Sequence, residues 1–422
     1  MPRDLLAVEG GEPVRDPSRD WPIWPARTAE LAANLRSVIA SDRWTLTAPV
    51  GSSELFERKF AEEFAAYTGS RYCVPVDHGA SALVVALDAL DLEYGDRVLV
   101  PTLTWTASAT AALRAGLVPL LVDVDLETGC ISPANICLDS DPRAIVAVHW
   151  SCGMADIPSL IDATASHGVH VVEDCAQAHG AEWDRRRAGS MGRLGCFSMQ
   201  HGKVLTSGEG GAVVTDDELL AGLLEELRAD SRRFRTDRPN KGESDLVETG
   251  TTLGANFCLS EFHAAVLCAG LRRLEEQHAI RAGNFAVLAK LIGEIPGVHL
   301  VTPRPQQTKW SIFEVPILFE RLRPNVTNVE VAAALTAELG RPFYLTDPPL
   351  HRSPLFQPWK KRSLAPLAKP VAAHLQSNVF PNADYLFDHI VVTHHSALLG
   401  GNRDMLDIAT AIERVSSHFS ER

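Results

Sequence analysis

The sequence predicts an α/β fold: a mainly parallel β-sheet with helices on both faces, followed by a smaller C-terminal α+β domain. Three observations predict it. Strand-like and helix-like stretches alternate from residue 72 to residue 172, the pattern of chained strand–helix–strand units. The strand-like stretches are continuous Val, Leu and Ile runs, as strands buried on both faces require. Beyond about residue 280 the elements shorten and a proline-rich stretch appears.

In chain order, the first fifty residues carry Trp21-Pro22, Trp24-Pro25 and one helical stretch at 29–40, and read as an arm packing on a body. Over 54–67, Leu55, Phe56, Phe60 and Phe64 recur at helical spacing, and Gly69 stops that helix. The alternation then runs strand 72–76, helix 81–90, strand 97–100, helix 107–115, strand 118–124, strand 144–149, helix 158–166, strand 169–172. Helical periodicity returns at 219–227, 261–277 and 274–292, with a charged, non-periodic surface loop at 232–248. Short elements at 299–301, 313–318 and 329–339 precede a Pro-rich stretch (342–370) and a closing helix at 405–419. The resulting division is an arm (1–50), a large domain (51–280) and a small domain (281–422).

Composition narrows the function classes. The 422 residues are 45% hydrophobic and carry a net charge of -13, which argues against nucleic-acid and anionic-membrane partners. No apolar run approaches the roughly 20 residues that span a bilayer, and Met1-Pro2-Arg3-Asp4 does not open a signal peptide. The 8 cysteines form no CxxC pair and the 15 histidines no HExxH pair. They read as reduced core thiols of a cytoplasmic protein, with no metal site.

Four strand ends carry residues suited to chemistry. In Gly195-Cys196-Phe197-Ser198-Met199-Gln200-His201-Gly202-Lys203 an apolar run ends in a turn with one lysine, and Gly208-Glu209-Gly210-Gly211 follows. By itself Lys203 is either a snorkelling surface lysine or an amine nucleophile in a cleft. The strand 169–172 runs into Glu173-Asp174, either a helix cap or a carboxylate facing a cationic ring nitrogen. Asp77-His78-Gly79-Ala80-Ser81 joins a strand to a helix whose free N–H groups suit a phosphate, although any such joint looks alike. Trp105, after the strand 97–100, is either core or a platform for a flat heterocycle. On one sheet edge these are the parts that hold pyridoxal phosphate: phosphate cradle, platform, carboxylate and Schiff-base lysine.

Glu173-Asp174-Cys175-Ala176-Gln177-Ala178-His179-Gly180, Phe197-Ser198 to Lys203, and Gly208-Glu209-Gly210-Gly211-Ala212-Val213-Val214-Thr215 resemble the DegT/DnrJ/EryC1/StrS sugar aminotransferases. The resemblance extends over nearly the whole chain. It is nearest to the branch of glutamine-dependent scyllo-inosose and 2-deoxy-scyllo-inosose aminotransferases. Trp21-Pro22-Ile23-Trp24-Pro25 and His394-His395 are among the stretches similar to that branch.

The resemblance implies pyridoxal phosphate fold type I (aspartate aminotransferase-like) with a seven-stranded-type sheet. It also implies transfer of an amino group, with L-glutamine as donor, to a keto-cyclitol or keto-sugar in aminoglycoside or aminocyclitol antibiotic biosynthesis. Lys203 is then the covalent anchor and proton carrier, Asp174 the partner of the ring nitrogen, Gln177 the contact to the ring hydroxyl and Trp105 the platform. Gly79, Ala80, Ser81 and Ser198 hold the phosphate, and Asn256 reaches it from the neighbouring subunit of a homodimer with shared sites. His149, Tyr344, His394 and His395 are candidate substrate contacts, the histidines alternatively satisfied structural residues. Ala80 departs from the family's usual hydroxyl residue in the phosphate turn. The rival readings are a 3-amino-5-hydroxybenzoate synthase type, a valienone- or valiolone-type aminotransferase, and a catalytically silent partner subunit.

Overall fold

In the computed structural model, which describes residues 5–49, 54–237 and 239–420, the alternating stretches form one seven-stranded sheet. Its strands are β1 (Tyr72–Val76), β2 (Arg97–Pro101), β3 (Val118–Val122), β4 (Pro142–Val148), β5 (His170–Asp174), β6 (Leu194–Ser198) and β7 (Gly211–Thr215). Their spatial order is β1-β7-β6-β5-β4-β2-β3. The pairs from β6 to β3 are parallel, and β7 alone runs antiparallel to both its neighbours. Val98, Val100, Ile145, Val146 and Val172 are at most 1% exposed, as continuous apolar strands predict.

Helices α1 (Ala29–Ser41), α2 (Phe56–Thr68), α3 (Gly79–Asp88), α4 (Ala107–Arg114), α5 (Ile157–Thr164), α6 (Glu218–Arg228) and α7 (Glu261–Ile292) come from this part of the chain. Thr28 and Asp217 accept from the first-turn amides of α1 and α6, and Gly69 ends α2 at φ 74°. Two boundaries differ from the sequence reading in ways that matter. Helix α3 begins at Gly79, two residues early, so the phosphate-turn candidates are its first turn. Strand β5 runs on through Glu173 and Asp174, so both carboxylates belong to the sheet.

The stretches 261–277 and 274–292 are one helix of 32 residues. Leu267, Leu271 and Leu274 join the core of the large sheet, while Phe285, Leu288 and Ile292 join a second core. That second core lies on an antiparallel sheet of β8 (Val298–Leu300), β9 (Glu314–Phe319), β10 (Phe343–Tyr344) and β11 (Ile390–His394), in the order β8-β9-β11-β10. Helices α8 (Asn328–Leu339) and α11 (Asn402–Phe419) cover it, with α9 (Ala365–Ser377) and α10 (Pro381–His389) between them in the chain.

A division at residue 280 therefore cuts α7. Part of the chain beyond it also packs on the first core: Leu350, Phe356, Leu367, Val371 and Leu386 belong there. Leu350 N donates to Thr102 O at 2.7 Å. The arm is tied to α11 through Arg15, whose Nη1 lies 2.6 Å from Asp404 Oδ1. Residues 1–4 and 50–53, which include Met1-Pro2-Arg3-Asp4 and the arm's boundary, lie outside the described residues.

The loop at 232–248 is partly ordered by pairing, contrary to the sequence reading. Arg232–Phe234 and Leu246–Glu248 form a two-stranded antiparallel ribbon, too short for any periodicity to register; Arg238 within it is not described. Among the described residues, no helix is long and apolar enough to cross a membrane. All 8 cysteines are free.

Candidate active site

The carboxyl ends of β1, β2, β5 and β6 open on one side of the sheet, where ligands of such sheets bind. A cleft of about 390 Å³ lies there, closed on the far side by Phe313 and Glu314 of the small domain and by Asp347. Gly79, Ala80, Trp105, Asp174, Gln177, Ser198 and Lys203 all line it. Seven residues singled out in the sequence thus meet in one place.

Alternation along β5 separates its two carboxylates. Glu173 is fully buried among structural donors: the amides of Gly189, Met191 and Gly192 at 2.9, 2.7 and 2.6 Å, and His149 Nε2 at 3.1 Å. Burial opposes its charge, but His149 and the Gly192 and Gly189 amides outweigh it and hold the carboxyl below its usual range. Asp174 faces the cleft instead. Its Oδ2 accepts from Ser108 Oγ at 2.8 Å and its Oδ1 from Ala176 N at 3.1 Å. Burial pushes this carboxyl up despite those bonds and the Lys203 charge. A cationic ring nitrogen brought against it would favour the ionised form.

Lys203 follows a tight turn closed by its own amide donating to Gln200 O at 2.9 Å. Its amine lies 4.1 Å from the centre of the Phe313 ring. Burial lowers its affinity for a proton, while Glu314, Asp174 and Asp347 oppose that. A buried amine in an acidic, half-apolar cleft is the setting in which lysine serves as a nucleophile. Glycines let the chain turn beside it: Gly208 and Gly210 have φ of 90° and 149°, and Met199 N donates to Gly210 O at 2.8 Å.

The other end of the cleft fits a phosphate. The N-cap residue of α3, His78, makes no side-chain cap, so the first-turn amides face the cleft with the positive end of the helix dipole. Gly79 packs so closely on Ser198 that a Cβ at Gly79 would sit 2.4 Å from that of Ser198, which places the hydroxyl at the helix end. Trp105 remains 51% exposed at the mouth, with its indole available to a flat ring. Cradle, platform, buried carboxylate and amine together fit pyridoxal phosphate.

Some expectations are corrected. His149 does not reach acceptor hydroxyls: it is 1% exposed, and its ring nitrogens engage Glu173 and the Ala155 amide. Its neighbours Glu173 and Cys175 bring ligand-type atoms within 4.8 Å, but Glu173 is already committed to its four donors. His394 and His395 are directed at the Gly202 carbonyl, behind the lysine. Tyr344 gives its hydroxyl to Glu314 Oε1 at 3.1 Å and stands behind the cleft wall. Ser81 lies beyond the cleft lining. Asn256, expected to act at the neighbouring subunit's site, is exposed.

Four lining residues stand out little or not at all in the sequence. Ser108 sits one helical turn after Thr104, and only that i,i+4 hydroxyl pair, 3.0 Å apart, hints at a polar site. Phe313, Glu314 and Asp347 carry no such hint, because the small domain brings them to the cleft from distant sequence. Glu314 is pushed up to about 7 by burial and by Asp347.

Comparison with known proteins agrees with this geometry. Residues 26–381 match the DegT/DnrJ/EryC1/StrS aminotransferase family. The L-glutamine:2-deoxy-scyllo-inosose aminotransferase of Streptoalloteichus tenebrarius is 40% identical, over 99% of this chain and 98% of that protein. The L-glutamine:scyllo-inosose aminotransferase of Streptomyces griseus is 39% identical over 99% and 98%. The crystal structure of a 3-amino-5-hydroxybenzoic acid synthase superposes with a TM-score of 0.78 at 29% identity, covering 94% of this chain and 99% of that one. The chain belongs to the DegT/DnrJ/EryC1/StrS aminotransferase family, and its fold is that of the pyridoxal-phosphate-dependent aminotransferases.

Proposed function

We propose that the chain uses pyridoxal phosphate to move the amino group of L-glutamine to the ketone of a cyclitol of the scyllo-inosose or 2-deoxy-scyllo-inosose type. The observation that carries this reading is the convergence of the Lys203 amine and the Asp174 carboxylate on a cleft that ends at the uncapped α3 N-terminus. The relatives at about 40% identity support the donor and acceptor classes by their own activities. When bound, the cofactor supplies an electron sink conjugated to the amino nitrogen in transit.

In this reading the Gly79 and Ala80 amides, with the Ser198 hydroxyl, hold the phosphate, and Trp105 covers one ring face. Asp174 keeps the ring nitrogen protonated by favouring its charged form. Gln177 meets the ring hydroxyl while its Oε1 stays with the Ser151 amide, 2.5 Å away. Lys203 would be the residue that anchors the cofactor and that holds or moves a proton at the substrate carbon, a task suited to an amine whose proton affinity burial lowers. Glu314 and Asp347 offer acceptors to ring hydroxyls. Asn256 of the partner subunit completes the phosphate site in a homodimer.

A two-step titration tests this. Glutamine should bleach the visible band of the cofactor-loaded protein, and 2-deoxy-scyllo-inosose or scyllo-inosose should restore it with release of the aminocyclitol. Bleaching that only a carboxylated ring ketone reverses would replace the cyclitol by a substrate of the 3-amino-5-hydroxybenzoate type. A protein that takes up no cofactor would sink the proposal.

A further inference from the structure

The carbonyls of His201 and Gly202, immediately before Lys203, are held by three donors from two other regions of the chain. Trp24 Nε1, in the arm, donates to His201 O at 3.2 Å. His394 and His395, at the end of β11, both turn Nε2 toward the Gly202 carbonyl, at 3.0 and 3.2 Å. The rings also pack together: the two imidazole centres are 4.0 Å apart, and Trp24 meets His395 edge-on at 4.6 Å.

The partners of each ring dictate where its proton sits. The Ser396 amide donates to His394 Nδ1 at 3.3 Å, and the Ser396 hydroxyl lies 2.8 Å from the same atom, so Nδ1 accepts and Nε2 carries the proton. Arg341 donates to Ser396 Oγ at 2.6 Å, which leaves that hydroxyl's own proton for His394. His395 Nδ1 is buried and has no partner among the described residues, so a proton there would be stranded, whereas on Nε2 it meets Gly202. Burial pushes His394 down to about 4 and His395 well below the usual imidazole range, which keeps both rings neutral.

The Gly202 carbonyl and the Lys203 amide belong to one planar peptide group. Two imidazoles hold its oxygen and Gln200 O holds its N–H, so the plane that roots the lysine side chain is gripped at both ends. The His395 amide also donates to Phe313 O at 3.3 Å, and the ring of Phe313 is the one under the lysine amine. We propose that Trp24, His394 and His395 are positioning residues for Lys203, a three-donor clamp through which the arm and the small domain set the direction of the amine in the cleft. The proposal rests on Lys203 being the cofactor's anchor.

The test uses the full chain loaded with pyridoxal phosphate and reads visible circular dichroism per bound cofactor, kcat, KM for glutamine and the thermal midpoint. The double variant His394→Ala/His395→Ala should still retain cofactor after borohydride reduction. Its dichroism should collapse, and kcat should fall about 100-fold with KM within about threefold. In His394→Gln/His395→Gln, whose amides can place an N–H near the lost Nε2, kcat should recover at least about tenfold. Trp24→Phe keeps the ring and removes one donor, and should alter the dichroism while lowering kcat severalfold.

Unchanged dichroism and kcat in the alanine variant would overturn the clamp, and so would a glutamine variant no better than the alanine one. Should the alanine variant not fold, Trp24→Phe and His394→Gln decide: altered dichroism in the first and retained dichroism in the second support the clamp, and any other combination overturns it. A Lys203→Ala protein that still holds cofactor after borohydride would instead refute the reading of Lys203, whatever the clamp variants do.

Discussion

The two walls of the cleft differ in how their residues arrive. The large-domain wall takes Gly79, Trp105, Asp174 and Ser198 from the carboxyl ends of four strands, and each stands within a few residues of its strand. The opposite wall takes Phe313 and Glu314 from the start of β9 and Asp347 from the chain after β10, with Tyr344, His394 and His395 behind them. On the first wall, topology alone delivers a residue to the site, because parallel strands joined by helices end on one side. On the second, position depends on how one core docks against another along α7. In the proposed function, direct chemistry is concentrated on the first wall, while tuning and positioning come from the second.

The largest effect that sharpens this contrast belongs to Lys203→Ala. Transaminase activity should fall on the order of 10⁴-fold or more, with no cofactor retained after borohydride. Next comes Asp174→Asn, a neutral group that cannot favour a cationic ring nitrogen; kcat should fall on the order of 10³-fold. A loss below tenfold would break the assignment of chemistry to this wall.

Glu314 probes the other wall through pH. Its folded carboxyl titrates at about 7 against an ordinary 4.5, so folding favours the protonated form. That stability is fully present below about pH 4.5 and is lost as pH rises through about 7. Urea unfolding of the cofactor-free protein should therefore show wild type losing stability relative to Glu314→Gln over that window, by roughly 3 kcal/mol at most. A flat difference would mean that the wall leaves Glu314 solvated. The smallest effect is that of Ser108→Ala, which removes the 2.8 Å hydroxyl donor to Asp174. It should cost about 1–2 kcal/mol in urea unfolding and move the Asp174 carboxyl further up.

The legibility of the site follows the same divide. Lys203, Asp174, Trp105 and the α3 turn could be read because each breaks the local pattern of an apolar strand or opens a helix. His149 misled for the same reason: it stands at the end of β4 among the functional strand ends, yet it is spent on Glu173, a use that only burial reveals. The paired histidines were visible as a motif, but their target was not. The single helix α7 presents itself in sequence as two stretches because its buried face passes from one core to another, which blurs its periodicity.

By itself the sequence determined the parallel sheet, the strand ends that carry Lys203 and Asp174, and the family. Those depend on local patterns and on short strand-to-helix connections, which one stretch of chain encodes. Only the tertiary structure decided that Glu314 and Asp347 face the lysine and that Trp24, His394 and His395 grip the carbonyls before it. His394 and Gly202 are 192 residues apart, and a contact across that distance is set by the packing of two cores, which no local spacing records.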